Sequence, residues 1–460
     1  MGRGGMRSIT GILVLLAWLP MAARAAPADI PTQAQVLLER STTPEGTGAV
    51  MLIARGDQVV WQGARGQAQI ELGVPMTPDK VMSVASVTKM LTAATVLKLR
   101  DDGKLSLDDP LAKYLPAFPG GEAITLRQLL HHSAGVSDRA VKPVPGLLRQ
   151  EQDTATQVAQ IAERPANFPP GTRFAYSNAG YILLGAVIEA VTGQPWHEAV
   201  KAQVITPLGL THTLFGADAP LVPGRAAGYS RDPATGVVRN GEYINLTGPA
   251  AAGGFLSTAD DLRLWIRALA TGRLLKPESV REMFSAGPPL PGESPENRYG
   301  LGVYLWSVRG EPMIGHTGQI NGFTAVVGYL PARDLTVVAL FNDYSADARN
   351  QGRRLAAIAL GQPYEEPVAA PVSAQALAAL AGRYQDGSGV RTLLVQDGAL
   401  FVQRGERPPY PLTVTASGRL HFKPDELSYF LPVRGPSGAV TRLDYYPGGD
   451  GPPRPMPRLP

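Results

Sequence analysis

Strand-like sequence brackets a long helical middle, and this arrangement narrows the folds open to the chain. Near the start, "AVMLIARGDQVVWQGARG" reads as two strands around a Gly56-Asp57 turn. Far downstream, "PMIGHTG", "FTAVVGYL" and "LTVVALFN" are again short runs rich in β-branched residues. Between the two groups, apolar residues recur at helical spacing from Lys89 to Arg100, from Leu126 to Leu130 and from Tyr181 to Val191, the last stopped by Gly193. Short helices are also expected over Thr32 to Arg40 and Ala346 to Leu360. Strands so far apart pair most simply if both ends of the block join one antiparallel sheet. The expected class is therefore α/β (α+β): an antiparallel sheet flanked by helices, with a helical subdomain inserted.

The 460 residues allow one large domain and a smaller one. The segment "GQPYEEPVAAPVS" (Gly361 to Ser373) is Pro-rich and reads as a linker. After it, "RTLLVQDGALFVQ" with Asp397-Gly398 at a hairpin position opens a small all-β domain over 374–446. The remaining 447–460 are dominated by Pro, Gly and Arg and are expected to be disordered. At the other end, Arg3 and Arg7 precede the apolar run Ile9 to Leu19, followed by Ala23-Arg24-Ala25. That is the layout of a signal peptide over 1–25, for which a retained membrane anchor is the alternative. The chain is thus expected to be exported, periplasmic or secreted, with its main domain over 26–361. Loss of 1–25, which hold three arginines and no acid, lowers the formal net charge from +4 to +1. Nothing in that balance points to a nucleic-acid partner. Cysteine is absent, which excludes cysteine nucleophiles and thiolate metal sites.

The stretch "MSVASVTKML" (Met82 to Leu91) carries Ser86 and Lys89 one helical turn apart at the start of a predicted helix. A serine hydroxyl is a weak nucleophile until a base takes its proton, and a lysine does so only when neutral. The alternative is a helix-capping serine beside a solvated lysine. The flanking Val84, Ala85, Val87 and Met90 are more apolar than a surface helix start, and no other lysine in the chain has a serine three residues upstream. No G-x-S-x-G pentad occurs, so the α/β-hydrolase elbow is excluded. Two further elements could complete a site. Tyr176 and Asn178 lie in "YSN", on a loop ahead of an apolar helix. His316, Thr317 and Gly318 lie on a predicted strand, where glycine lets a substrate backbone approach. A second triplet, "YIN" at Tyr243, reads as structural, and Asn245-Leu246-Thr247 matches a glycosylation acceptor without support. His131-His132 and the isolated His197, His212 and His421 lack ligand spacing, and no metal is expected.

Taken in order, S-V-T-K, Y-S-N and H-T-G resemble the serine β-lactamase and DD-peptidase family, in the branch of class C β-lactamases, DD-carboxypeptidases and related esterases. "LLHHSAGV", "PPGTRFAYSNAGYILLG", "PLGLTHT" and "AAGGFLSTADDL" are similar to runs of that branch, over roughly Ala34 to Leu360. The resemblance implies that Ser86 is acylated, that Lys89 shares its proton, and that Tyr176 acts as general base and then acid. It implies that Asn178 orients the substrate amide, that Thr317 binds near the substrate's carboxylate or acyl group, and that the N–H groups of Ser86 and Gln319 form the oxyanion hole. His132 then belongs to a structural turn, and no cofactor is required. His316 stands where many members carry lysine; a mostly neutral imidazole shifts the expectation away from an efficient β-lactamase. The expected activity is a serine hydrolase acting on small-molecule or peptide substrates, peptidoglycan fragments among them, with no stable membrane span after signal cleavage. The alternatives are a non-catalytic binder of wall fragments or acyl compounds, against which the intact Ser86, Lys89 and Tyr176 speak, and a metal hydrolase.

Overall fold

In the computed structural model, Met1 and residues 29–460 are described, apart from 139–145, 147–148, 218–220, 233–234, 292–296 and 423–424. Apart from Met1, the expected signal peptide therefore lies outside the described residues. Helix α1 (Ile30–Ser41) starts at Asp29, whose carboxylate accepts from the Thr32 N–H at 2.9 Å. Strands β1 (Ala49–Arg55) and β2 (Gln58–Arg65) turn at the two residues Gly56-Asp57, where Gly56 has φ +57°. Five more strands come from the far end of the block: β3 (Arg298–Tyr299), β4 (Tyr304–Val308), β5 (Glu311–Ile320), β6 (Phe323–Leu330) and β7 (Leu335–Phe341). Their order across the sheet is β3-β4-β5-β6-β7-β1-β2, every pairing antiparallel. The joint between the two ends of the block is β1 against β7, in register from Ala49↔Phe341 to Arg55↔Leu335.

Both faces of this sheet are covered, which explains why its central strands read as continuous apolar runs rather than alternating ones. Successive side chains on a strand point to opposite faces. On β1, Val50, Leu52 and Ala54 enter the larger core, with helices α2 (Thr88–Asp101), α3 (Asn178–Thr192) and α4 (Ala259–Ala270). Ala49, Met51 and Ile53 face the other way, onto Leu37 and Leu38 of α1 and Leu355 and Ile358 of α5 (Ala348–Ala359). Helix α2 is buried from Thr88 to Leu97 without interruption, so it is a central element of the larger layer. Helix α3 ends at Gly193, in the left-handed region at φ +68°.

The C-terminal strands run as a meander: β8 (Gly382–Asp386), β9 (Gly389–Gln396), β10 (Ala399–Arg404), β11 (Tyr410–Val414), β12 (Leu420–Phe422), β13 (Asp425–Arg434), β14 (Val440–Tyr446) and β15 (Arg454–Pro457). They nearly close into a barrel, because the Leu459 N–H donates to the Arg383 carbonyl at 2.8 Å. The segment 447–460 expected to be disordered is instead part of this domain. Met456 is buried in its core, and Pro455 and Pro457, which have no N–H to give, sit at the seam where a strand tolerates them. Composition alone missed this, because burial of one methionine and closure of the sheet outweigh the local cost of proline. Asp450 further ties the segment to the main domain. Its carboxylate accepts from Arg353 at 2.9 Å and from the Tyr364 hydroxyl, and Tyr364 lies in the 362–373 connection. In the same connection, Glu366 pairs with Arg40 and Arg354 at 2.6 and 2.8 Å. Among the described residues no helix is long and apolar enough to cross a membrane.

Candidate active site

From Val81 to Met90 every residue is buried except Ser86, which is half-exposed. The chain reaches it through Ala85, held at φ +46°, and a single turn (Ala85–Val87) that runs into α2. Neither that turn nor α2 has a side-chain cap at its start, so Ser86 is not spent on capping. Lys89 lies beneath it, fully buried, which removes the reading of a solvated helix lysine. Its Nζ is 3.0 Å from Ser86 Oγ, 2.8 Å from Asn178 Oδ1 and 2.7 Å from the Ala252 carbonyl. Burial lowers the Lys89 pKa to about 7, against a smaller opposing effect of the Asp138 charge.

These three partners dictate the orientation of a neutral amine. Asn178 Oδ1 and the Ala252 carbonyl can only accept, so they take the two N–H bonds. Ser86 alone has a proton to give, and the lone pair is left facing its hydroxyl. The Tyr176 hydroxyl is also within hydrogen-bonding reach of Ser86, and the Lys89 ammonium position lies 4.8 Å from the centre of its ring. Desolvation, with Tyr304 adding to it, raises the Tyr176 pKa well above the ordinary phenol value. Near neutral pH this tyrosine is therefore a hydroxyl, while Lys89 is poised to lose its proton.

Two buried groups, His132 and Ser177, and the exposed Asp138 hold Tyr176 and Asn178 in place. His132, in the left-handed region at φ +57°, accepts from the Ser177 N–H at 3.1 Å and packs its ring 4.3 Å from that of Tyr176. Ser177 caps α3 by accepting from the Gly180 N–H at 3.1 Å. Asp138 accepts from Ser177 Oγ and from the Asn178 and Ala179 N–H groups, at 2.9, 2.9 and 2.8 Å. A carboxylate on the first N–H groups of a helix is favourably placed. Asn178 is thus the first residue of α3 and not, as expected, part of the loop before it. It also donates Nδ2 to Asp138 at 3.3 Å, which fixes Oδ1 toward Lys89.

The opposite wall is β5. Its pairing with β4 ends at Tyr304↔Gly315, so from His316 onward one edge of β5 faces the cavity instead of a strand. A Cβ at Gly318 would stand 2.1 Å from the Val84 carbonyl oxygen, so only glycine lets β5 pass this close to the Ser86 turn. His316 is buried between Tyr299 and Tyr304. Its Nδ1 is 2.5 Å from the Thr317 carbonyl, an obligate acceptor, and its Nε2 is 3.0 Å from the Tyr299 hydroxyl. The consistent state is neutral, with Nδ1–H donating and Nε2 accepting. Burial, reinforced by Lys89, lowers its pKa to about 3. Between the walls lies a cavity of about 560 Å³ lined by Ser86, Tyr176, Asn178, Thr317 and Gln319 among others.

Comparison with known proteins narrows what this arrangement belongs to. The Beta-lactamase family matches residues 37–361. The chain belongs to the β-lactamase family. Within it, a D-aminopeptidase of Gluconobacter oxydans (strain 621H) is 28% identical over 334 residues, covering 70% of this chain and 60% of that protein. The chain thus spans less than two thirds of that relative. A D-stereospecific amidohydrolase from Streptomyces sp. has 30% identity and a TM-score of 0.62, over 69% of this chain and 96% of that one. An octameric penicillin-binding protein homologue from Pyrococcus abyssi, at 23% identity, shows the fold alone. It covers 93% of this chain and 100% of that one at a TM-score of 0.66, so the likeness extends into the C-terminal β-domain. The β-lactamase/transpeptidase-like fold and the membership of a serine hydrolase family follow from these matches.

This β-lactamase-family site brings the motifs read from the sequence together around one cavity, with Lys89 and Gly318 behind its surface. Tyr243 stays exposed, and Asn245 is buried in a turn, accepting from the Thr247 N–H and hydroxyl, so neither joins the site. His197, His212 and His421 line no part of the cavity. Asp138 and Arg164 do line it, and neither was anticipated. Asp138 stands six residues past His132 in "HHSAGVSD", but its hydrogen bonds to the start of α3 are tertiary and leave no local pattern.

Proposed function

We propose that the protein is an exported serine hydrolase that cleaves amides or esters through an acyl-enzyme on Ser86, with D-configured amino-acid amides and peptides as the preferred class. The observation that carries the reading is the lone-pair geometry of Lys89, whose only proton-giving hydrogen-bond partner among the described residues is Ser86. Neutral Lys89 takes the Ser86 proton as Oγ bonds to the substrate carbonyl carbon. The N–H groups of Ser86 and Gln319 stabilise the oxyanion. As the tetrahedral species collapses, the proton passes through the Tyr176 hydroxyl to the leaving nitrogen or oxygen. Water then attacks the acyl-enzyme by the reverse proton path, releasing the acid and free Ser86. Tyr176 acts here as a relay, since its raised pKa disfavours the phenolate that a base would need. Asn178 orients the acyl amide, and Thr317 with the open edge of β5 holds the other side of the scissile bond. Catalysis is assigned to 26–361, and the β-domain beginning at 374 is an attached module.

A neutral His316 offers no cation for a substrate carboxylate, which favours amides and esters over β-lactams. The D-aminopeptidase and D-stereospecific amidohydrolase relatives support the stereochemical preference. The decisive experiment is labelling of the purified protein with a fluorophosphonate probe, read by intact mass. One adduct in the wild type that is absent from Ser86→Ala is expected; a folded wild type that takes no label and turns over neither D-alanine p-nitroanilide, p-nitrophenyl acetate nor nitrocefin would favour a binding protein.

The pH profile checks the base. Below the Lys89 pKa the amine is protonated and has no lone pair; above it the base is available. For D-alanine p-nitroanilide, kcat/KM should therefore rise with pH along a limb centred near 7. His316 should add no limb near neutrality, because it is already neutral there. A profile flat through this range would remove Lys89 from the role.

A further inference from the structure

The proposed chemistry leaves one charged group of the cavity wall, Arg164, without a task. Arg164 follows the helix Thr154–Ala162 and is half-buried beside the Ser137–Asp138 turn. Its guanidinium carries five N–H donors. One of them, on Nη1, reaches the Ser137 carbonyl at 3.3 Å, while Nε is enclosed with no hydrogen-bond partner among the described residues. Burial works against its charge, and the nearby Asp138 charge only partly offsets this. Asp138 itself is committed elsewhere, accepting from Ser177, Asn178 and Ala179. Because Nε is closed off, a ligand in the cavity would meet the terminal nitrogens, of which Nη1 has only the long bond to Ser137 and Nη2 makes no hydrogen bond among the described residues.

The other basic groups of the site cannot serve an anion. Lys89 is turned to three protein partners, and His316 is neutral with both ring nitrogens occupied. The permanent positive charge of the cavity therefore sits on Arg164, which bonds to Ser137 next to the Asp138 that holds Asn178, and not on the β5 wall. We infer that Arg164 recognises a carboxylate carried on the acyl portion of the substrate, so that the preferred substrates have an anionic acyl chain. The assignment to the acyl portion rests on the proposed role of Asn178. A guanidinium suits this task because it offers two parallel N–H donors to the two oxygens of a carboxylate.

The test separates binding from turnover. The Ser86→Ala protein is titrated calorimetrically with mono-p-nitrophenyl glutarate and with p-nitrophenyl valerate, which share a five-carbon acyl chain and differ in the terminal carboxylate. The glutarate ester should bind at least about ten-fold more tightly, the scale of one charge-assisted hydrogen-bonded pair. Arg164→Gln in the same background should bring the two affinities together, and Arg164→Lys should keep part of the preference. Equal affinity in Ser86→Ala, or a preference that survives Arg164→Gln, overturns the assignment. Wild-type hydrolysis of the two esters is followed in parallel. Selective binding without any hydrolysis would uphold Arg164 as a carboxylate site and overturn the hydrolase reading instead.

Discussion

Ser86→Ala, Lys89→Met and the double variant should all lower kcat for D-alanine p-nitroanilide by the same factor, on the order of 10⁴ to 10⁶. The two residues form one proton path. Without Oγ there is nothing to acylate, and without the Lys89 lone pair the Ser86 proton has nowhere to go at neutral pH. Once either is removed, removing the other takes away nothing further, so the effects do not add. Lys89→Met keeps an unbranched chain in the buried slot but leaves Asn178 Oδ1 and the Ala252 carbonyl without their donor. Each loss costs about 1–3 kcal/mol, so a thermal melt of every variant must accompany the rates. A Lys89→Met protein that keeps its fold and turns over within ten-fold of wild type would show that Tyr176 is the base after all.

Gly318→Ala should have the second largest effect, on both rate and stability. The added methyl group would lie 2.1 Å from the Val84 oxygen and 3.1 Å from the Ala85 Cβ, where no carbon can sit. Neither neighbour is a flexible side-chain end, so β5 and the Ser86 turn must move apart. Overpacking of this kind costs about 1–3 kcal/mol. A displacement of about 1 Å between the Thr317–Gln319 edge and Ser86 should lower kcat/KM by about 10²-fold or more. Steady-state kinetics and a thermal melt read the two effects. A variant with wild-type kcat/KM would mean that the edge of β5 does not hold the reacting carbonyl.

Much of the framework was legible because it depends on local pattern. The apolar runs at 49–55, 323–330 and 335–341 pointed to one sheet, and the stop at Gly193 matched the end of α3. The same holds for Ser86 and Lys89, whose spacing puts them on one face of a turn. The protonation states were not legible. The sequence offers a tyrosine, a lysine and a histidine, and only burial makes the lysine readily neutral, the tyrosine a firm hydroxyl and the histidine uncharged. Asp138 and Arg164 escaped notice because their neighbours are brought to them by α3 and the cavity wall, not by adjacent residues. The strand Arg454–Pro457 escaped because proline counts against a strand, whereas the seam of a nearly closed barrel accepts it.

The pairing of β1 with β7 has a further consequence, in kinetic terms. These strands lie at opposite ends of the main domain, so the centre of the sheet depends on contacts of very long sequence separation. Such contacts are slow to form, because the chain entropy of closing the loop is lost before any contact rewards it. Ser86 and Lys89 come from the helical middle, and Thr317 and Gln319 from far strands that pair locally with one another but join β1 only through this closure. A partly folded chain would therefore carry a serine and a lysine but no second wall to hold a carbonyl against them. Hydrolysis would switch on only with the last long-range step, and the onset of turnover during refolding would mark completion of the sheet.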